Sequence, residues 1–142
     1  MKIKKDVFKK IASTVGTAKP ETGGALGIKN GVVCEFYFDE NSTRYDGEYS
    51  PNTDDINSKL IEWSKRDIDF AGIIHSHPNG VLELSDGDRA GIELIARAIP
   101  SFDALFFPIV VNYKNEFQMT VYRVTFSTDG VKIGNVDYEI LE

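Results

Sequence analysis

The sequence predicts an α/β fold: a mixed β-sheet sandwiched by about three helices, in a single domain spanning residues 1–142. Three observations lead there. Apolar residues recur at helical spacing in three separate segments. Short β-branched and aromatic runs, bounded by Gly, Asn and Pro, stand between and after those segments. The chain is also long enough, at 142 residues with 42% hydrophobic side chains, to bury one core without disulfide staples.

Residues 6–18 set Val7, Phe8, Ile11, Ala12 and Val15 on one helical stripe, and Pro20 stops that first helix. "TGGALGI" and "GVVCEFYF" then read as two strands around the turn "KNG". Residues 39–53 are rich in Asp, Asn, Ser, Gly and Pro and read as an exposed, solvated loop carrying Tyr45 and Tyr49. A second helix starts near Thr53 or Asp54, both good N-caps, with Ile56, Leu60, Ile61 and Trp63 as its apolar face. "DFAGIIHSH" has the continuous apolar approach of a buried central strand, ended by Pro78, Asn79 and Gly80. Ser85 caps a third helix running to Ala98, with Ile92, Leu94, Ile95 and Ala98 inside and Pro100 as terminator. "ALFFPIVVNY", "FQMTVYRVTF" and a short C-terminal strand complete the pattern. Cys34 and Trp63 read as buried packing residues.

A net charge of −6 argues against nucleic acid as a partner. The basic start "MKIKKDVFKK" is followed by no apolar run, so no export signal is read, and no stretch has the roughly 20 apolar residues of a membrane span. A single cysteine excludes an internal disulfide, which points to a reducing, cytoplasmic setting.

The chemistry concentrates in "GIIHSHPNGVLELSDGD". Both histidines of the chain, His75 and His77, stand there two apart. Alternation along a strand puts them on one face, with Cα atoms roughly 6.6 Å apart, close enough for two imidazoles to share one ion. Asp88, eleven residues after His77, falls in the first turn of the third helix and can add an oxygen ligand. Two imidazoles, a carboxylate and a water make an open tetrahedral zinc site of the catalytic kind. The plainer reading of Ser85-x-x-Asp88 is a helix capping box, and of a histidine pair, satisfied polar side chains. The coincidence of all these features favours a metal. A two-histidine, one-carboxylate set also serves non-haem iron, but no oxygenase pocket is visible, so one Zn²⁺ per chain is the expected cofactor.

His75-Ser76-His77-Pro78, six further residues and then Ser85-Asp86-Gly87-Asp88 resemble the JAMM motif of the MPN/JAB (JAB-type) metallopeptidases. That family also carries an upstream glutamate, and Pro20-Glu21-Thr22-Gly23-Gly24-Ala25-Leu26-Gly27 resembles that element, with Glu21 fifty-four residues before His75. The family's next glycine usually falls seven after the glutamate; here Ile28 stands there and Gly27 one place earlier. The resemblance implies a compact, stand-alone prokaryotic-type member with a cytidine-deaminase-like architecture. It implies that His75, His77 and Asp88 bind zinc, that Glu21 is the general base for an attacking water, and that Ser85 donates a hydrogen bond to the developing oxyanion.

The resemblance further implies a zinc-dependent peptidase or isopeptidase, related to deubiquitinases, that cuts at the C-terminal glycine of a ubiquitin-like protein, by addition of the tail to a sheet edge. Two alternatives stand beside it. One is a metallo-amidase for small peptides; the other is a non-catalytic MPN-type interaction module, against which the intact set of Glu21, His75, His77, Ser85 and Asp88 argues. RadC-type proteins share the same spacing and leave the activity open.

Overall fold

The structure, a computed structural model, describes residues 1–45, 48–99 and 104–142. It is a mixed α/β fold. In chain order its elements are β1 (Lys2–Lys4), α1 (Lys5–Ser13), β2 (Gly23–Lys29), β3 (Val32–Phe38), β4 (Thr43–Tyr45), β5 (Glu48–Ser50), α2 (Thr53–Ser64), β6 (Asp69–Ser76), α3 (Asp86–Ala98), β7 (Ala104–Tyr113), β8 (Glu116–Ser127), β9 (Gly130–Val136) and β10 (Glu139–Leu141). Eight strands form one sheet in the order β10-β1-β3-β2-β6-β7-β8-β9, and β4 with β5 forms a separate hairpin. The β6–β7 pair is parallel, as a crossover through α3 requires, and β2 runs antiparallel to β6.

Helices cover both faces of the sheet, and each face has its own core. Ile11 of α1 packs with Leu26, Val33, Ile74 and Val110 on one side. Trp63 of α2 and Ile92 of α3 pack with Ala25, Ile73 and Phe107 on the other. The period of two along β6 sorts its residues between them: Ile74 faces α1, while Ile73 faces α2 and α3. His75 and His77 continue the Ile73 row and so emerge on the α3 side. A register shift lets Ala71 bulge between Gly72 and Phe70 against β2. Gly72 there has φ +127°, and a Cβ on it would overlap the carbonyl oxygen of Phe106 in the neighbouring strand.

Several expectations are corrected. The first helix ends at Ser13, not residue 18, because the chain turns at Thr14–Gly16, where the Gly16 N–H donates to Ile11 O at 3.0 Å; Val15 stays buried all the same. β1 was unread: three residues flanked by lysines give no pattern, yet Ile3 is fully buried between two parallel partners. Segment 39–53 is only in part a solvated loop: Glu40, Asn41, Ser50 and Pro51 are exposed, but it also holds β4, β5 and the fully buried Asp39; the side chain of Tyr45 lies outside the described residues. Asn52, rather than Thr53 or Asp54, caps α2 by accepting from Asp55 N–H. Ile61 and Leu94 are exposed (61% and 71%), as is Ala98, and Ala96 takes the inward place on α3. Cys34 is half-buried rather than core. The C-terminal strand is two strands, β9 and β10. Pro100 lies outside the described residues. Among the described residues no helix is long and apolar enough to cross a membrane.

Candidate metal centre

The register of β2 against β6 builds the site. Gly23 lies opposite His75, so Glu21, two residues back on the same face, comes level with His77. Beyond the paired strands the two chains stay tied: Ser76 N–H donates to Thr22 O at 2.8 Å, and Thr22 N–H donates to the Ser76 hydroxyl at 3.0 Å. Ser76 thus spends its side chain on the opposite face, and both histidines turn inward. His77 N–H continues the ladder by donating to Val110 O at 3.0 Å.

α3 supplies the remaining groups through its N-terminus. Ser85 is the N-cap, and the capping box is complete: Ser85 Oγ accepts from Asp88 N–H at 3.0 Å, and Asp88 Oδ2 accepts from Ser85 N–H at 2.9 Å. The cap and the site therefore coexist. The bond that caps the helix also holds the Asp88 carboxylate with its oxygens toward the imidazoles. Asp88 Oδ1 lies 3.1 Å from His75 Nε2, and Oδ2 lies 3.0 Å from His77 Nε2. The two Nε2 atoms are 3.0 Å apart. Glu21 Oε1 is 3.6 Å from His77 Nε2, and its side chain is only 13% exposed, so it is no free turn residue.

These distances suit a cation. Donors about 2.0–2.1 Å from a tetrahedral zinc lie about 3.3–3.4 Å from one another, close to the separations seen. Glu21, His75 and His77 alone offer ligand atoms all within 4.8 Å, a possible metal-binding group, and Asp88 brings a second carboxylate to the same point. His77 Nδ1 lies 3.0 Å from Val81 O, which can only accept, so that nitrogen carries a proton and Nε2 is the one free to ligate.

The protonation states match this crowding. Burial pushes the Glu21 carboxyl above its ordinary value, and the two histidines only partly offset that. For His77 burial works against the charged form, but the hydrogen bond it donates to Asp88 and the charges of Asp88 and Glu21 win, and its pKa is raised. For Asp88 burial is likewise outweighed, by hydrogen bonds from His75, His77 and Ser85 N–H, and its carboxyl falls far below the usual range.

Two residues outside the motif complete the wall. The Tyr49 ring stacks on His75, with centroids 6.2 Å apart and planes at 18°. Its N–H donates to Glu21 Oε2 at 3.1 Å and its hydroxyl to Asp39 Oδ2 at 2.8 Å. A cavity of about 370 Å³ opens between Glu21, Tyr49, His77, Ser85 and Asp88. A smaller one, about 130 Å³, lies across Tyr49 over Ile73, Ile92 and Phe107. A larger cavity, about 840 Å³, is at the opposite end of β6, near Lys4, Lys29 and Arg66, and no histidine lines it. Sequence reading noted Tyr49 but left it solvated, and missed Asp39. The one available hint was Gly23, whose missing side chain leaves room for the Tyr49 ring.

Comparison with known proteins agrees with the fold. The solution structure of protein DSY2949 from Desulfitobacterium hafniense matches with a TM-score of 0.67 at 15% identity, covering 99% of this chain and 93% of that one. The crystal structure of AF2198, a JAB1/MPN domain protein from Archaeoglobus fulgidus, matches with a TM-score of 0.54 at 16% identity, covering 99% and 97%. No curated protein matches. A family model described as prokaryotic homologs of the JAB domain matches residues 5–124, most of the chain and every residue of the site. The chain belongs to that prokaryotic JAB domain family.

Proposed function

We propose that the protein is a zinc-dependent peptidase or isopeptidase that cuts after the C-terminal glycine of a ubiquitin-like protein. One observation carries this reading: His75, His77 and Asp88 converge within 3.1 Å of one another, with the Glu21 carboxylate beside them. The two imidazoles and Asp88 are the ligands. Glu21 is the base, because it stands farther from His77 and has one oxygen already engaged by Tyr49 N–H. A zinc ion held there would supply Lewis-acid chemistry, polarising a carbonyl and acidifying a water.

The residues of the chain do the rest. Glu21 takes a proton from the attacking water as its oxygen bonds to the scissile carbonyl carbon. The burial that raises the Glu21 pKa makes it a stronger base than an exposed glutamate. Ser85 Oγ accepts from Asp88 N–H but keeps its own proton, which it donates to the carbonyl oxygen as negative charge develops there. When the C–N bond breaks, Glu21 returns the proton to the leaving amine.

Among the described residues, the strand edge beside the site is that of the β4–β5 hairpin. The large sheet ends at β9 and β10, while β6 is flanked on both sides by paired strands. The extended tail therefore pairs with the β4–β5 hairpin, whose Tyr49 already touches His75. The cavity over Ile73, Ile92 and Phe107 beside Tyr49 is small, about 130 Å³, which favours a glycine tail over bulky residues there.

The test is hydrolysis of ubiquitin-like modifier–peptide fusions by the zinc-loaded protein, with and without chelator. Cleavage after the terminal glycine is expected, abolished by chelator and lowered at least about 100-fold in Glu21→Gln, which keeps the metal but lacks the base. If a panel of such fusions stays intact at equimolar protein with added zinc, the reading fails.

A further inference from the structure

We propose that Tyr49, pinned by the buried carboxylate of Asp39, is the positioning residue that sets Glu21 and His75 for the reaction. Its kinetic consequence rests on the hydrolytic reading above, whereas the placement does not.

Tyr49 meets the site by three separate contacts. Its ring lies on the His75 imidazole, its backbone N–H holds Glu21 Oε2, and its hydroxyl reaches away to Asp39 Oδ2. The first two touch groups that must be oriented; the third anchors the side chain that makes them. A glutamate at a strand start has several open rotamers, and one directed N–H removes most of that freedom.

The anchor is unusual for what it costs. Asp39 follows directly on β3 and is fully buried. Its Oδ2 accepts from both the Tyr49 hydroxyl and Asn52 N–H at 2.9 Å, while Oδ1 is buried with no partner among the described residues. A half-satisfied buried carboxylate is a net burden on folding, so stability alone does not account for it. What it does is join three elements. Its own N–H donates to Gly23 O at 2.9 Å in β2, its carboxylate takes Tyr49 of β5, and it takes the backbone of Asn52, the N-cap of α2. The strand that begins beside Glu21 is thus tied to the hairpin that orients Glu21.

Gly23 fits the same design. A Cβ there would come within 2.8 Å of the Tyr49 ring and 3.0 Å of His75 Cβ. The bare position leaves room for the ring over His75, and the Ile74 carbonyl oxygen, the nearest atom to such a Cβ, also requires it to be glycine.

Three variants test the proposal: Tyr49→Phe, which removes only the hydroxyl; Asp39→Ala, which removes the acceptor; and Asp39→Asn, which keeps one acceptor oxygen for both donors. The first readout is amide hydrogen exchange at residue 49 in the metal-free protein, referred to the amides of β6. Exchange is expected to quicken about tenfold in Tyr49→Phe and Asp39→Ala and to stay near the parent in Asp39→Asn. The second is catalysis on a modifier fusion, where kcat should fall about tenfold in the first two with KM and zinc content unchanged, and recover in Asp39→Asn. Equal exchange at residue 49 in the parent and Tyr49→Phe overturns the proposal, as does an Asp39→Asn variant as impaired as Asp39→Ala. Should Asp39→Ala not fold, Tyr49→Phe against Asp39→Asn decides. Should the parent cleave no fusion, the hydrolytic reading fails separately, and the exchange comparison alone decides whether Asp39 and Tyr49 position Glu21.

Discussion

His77 holds its proton more tightly than an ordinary imidazole, and that has consequences for both stability and metal binding. Its folded pKa is raised above 6.5 by Asp88 and Glu21 against the opposing effect of burial. A raised value contributes stability that is fully present below the unfolded pKa and lost as pH rises through the folded one. Glu21, raised chiefly by burial, acts in the same direction at its own lower pH. Asp88 is depressed, so its contribution is present above 3.8 and is lost only in strong acid. The metal-free protein should therefore melt at a higher temperature near about pH 5.5 than near about pH 8. Zinc competes with the same proton, so its binding should strengthen across that interval and release a proton as it occurs. Thermal melts of chelated and zinc-loaded protein at both pH values check this. A chelated protein more stable at the higher pH contradicts it.

Elements explain which parts of the site the sequence made legible. His75 and His77 are readable because a strand has a fixed period of two and both stand on one strand. Ser85 and Asp88 are readable because a capping box has a fixed spacing of three, and the same bond that caps α3 aims the carboxylate. Glu21 was reached by resemblance, since its nearness to His77 comes from the pairing of β2 with β6, which local sequence does not state. The departure at Gly27–Ile28 has a structural counterpart: β2 shifts register there against β3 and just before it against β6. Asp39 and the β4–β5 hairpin were unreadable because polar, turn-rich composition signals solvent, and only tertiary contacts bury Asp39.

The strand that carries both histidines depends on one backbone feature. Gly72 sits at a positive φ beside the bulge, against the Phe106 carbonyl. Gly72→Ala should cost about 2–4 kcal/mol, from strain and overlap together. Urea denaturation measures it, and a loss below about 0.5 kcal/mol, the usual scatter of surface changes, would show that β6 tolerates the side chain.

At the scale of the whole molecule, two apolar cores on opposite faces of one sheet fix the site at the end of β6. The alternation that sends Ile74 to one core and Ile73 to the other also delivers both imidazoles to the face covered by α3. The general architecture was legible from periodicity; helix faces were less so, as exposed Ile61 and Leu94 show, because apolar residues also populate surfaces. The central claim is that groups from β6 and α3 converge on one cation. Elemental analysis of the purified protein beside His77→Ala tests it most directly. About one zinc per chain in the parent, lost in the variant, is the expected result. A parent that takes up no zinc when supplied with it, or a variant that keeps a full complement, would contradict the account.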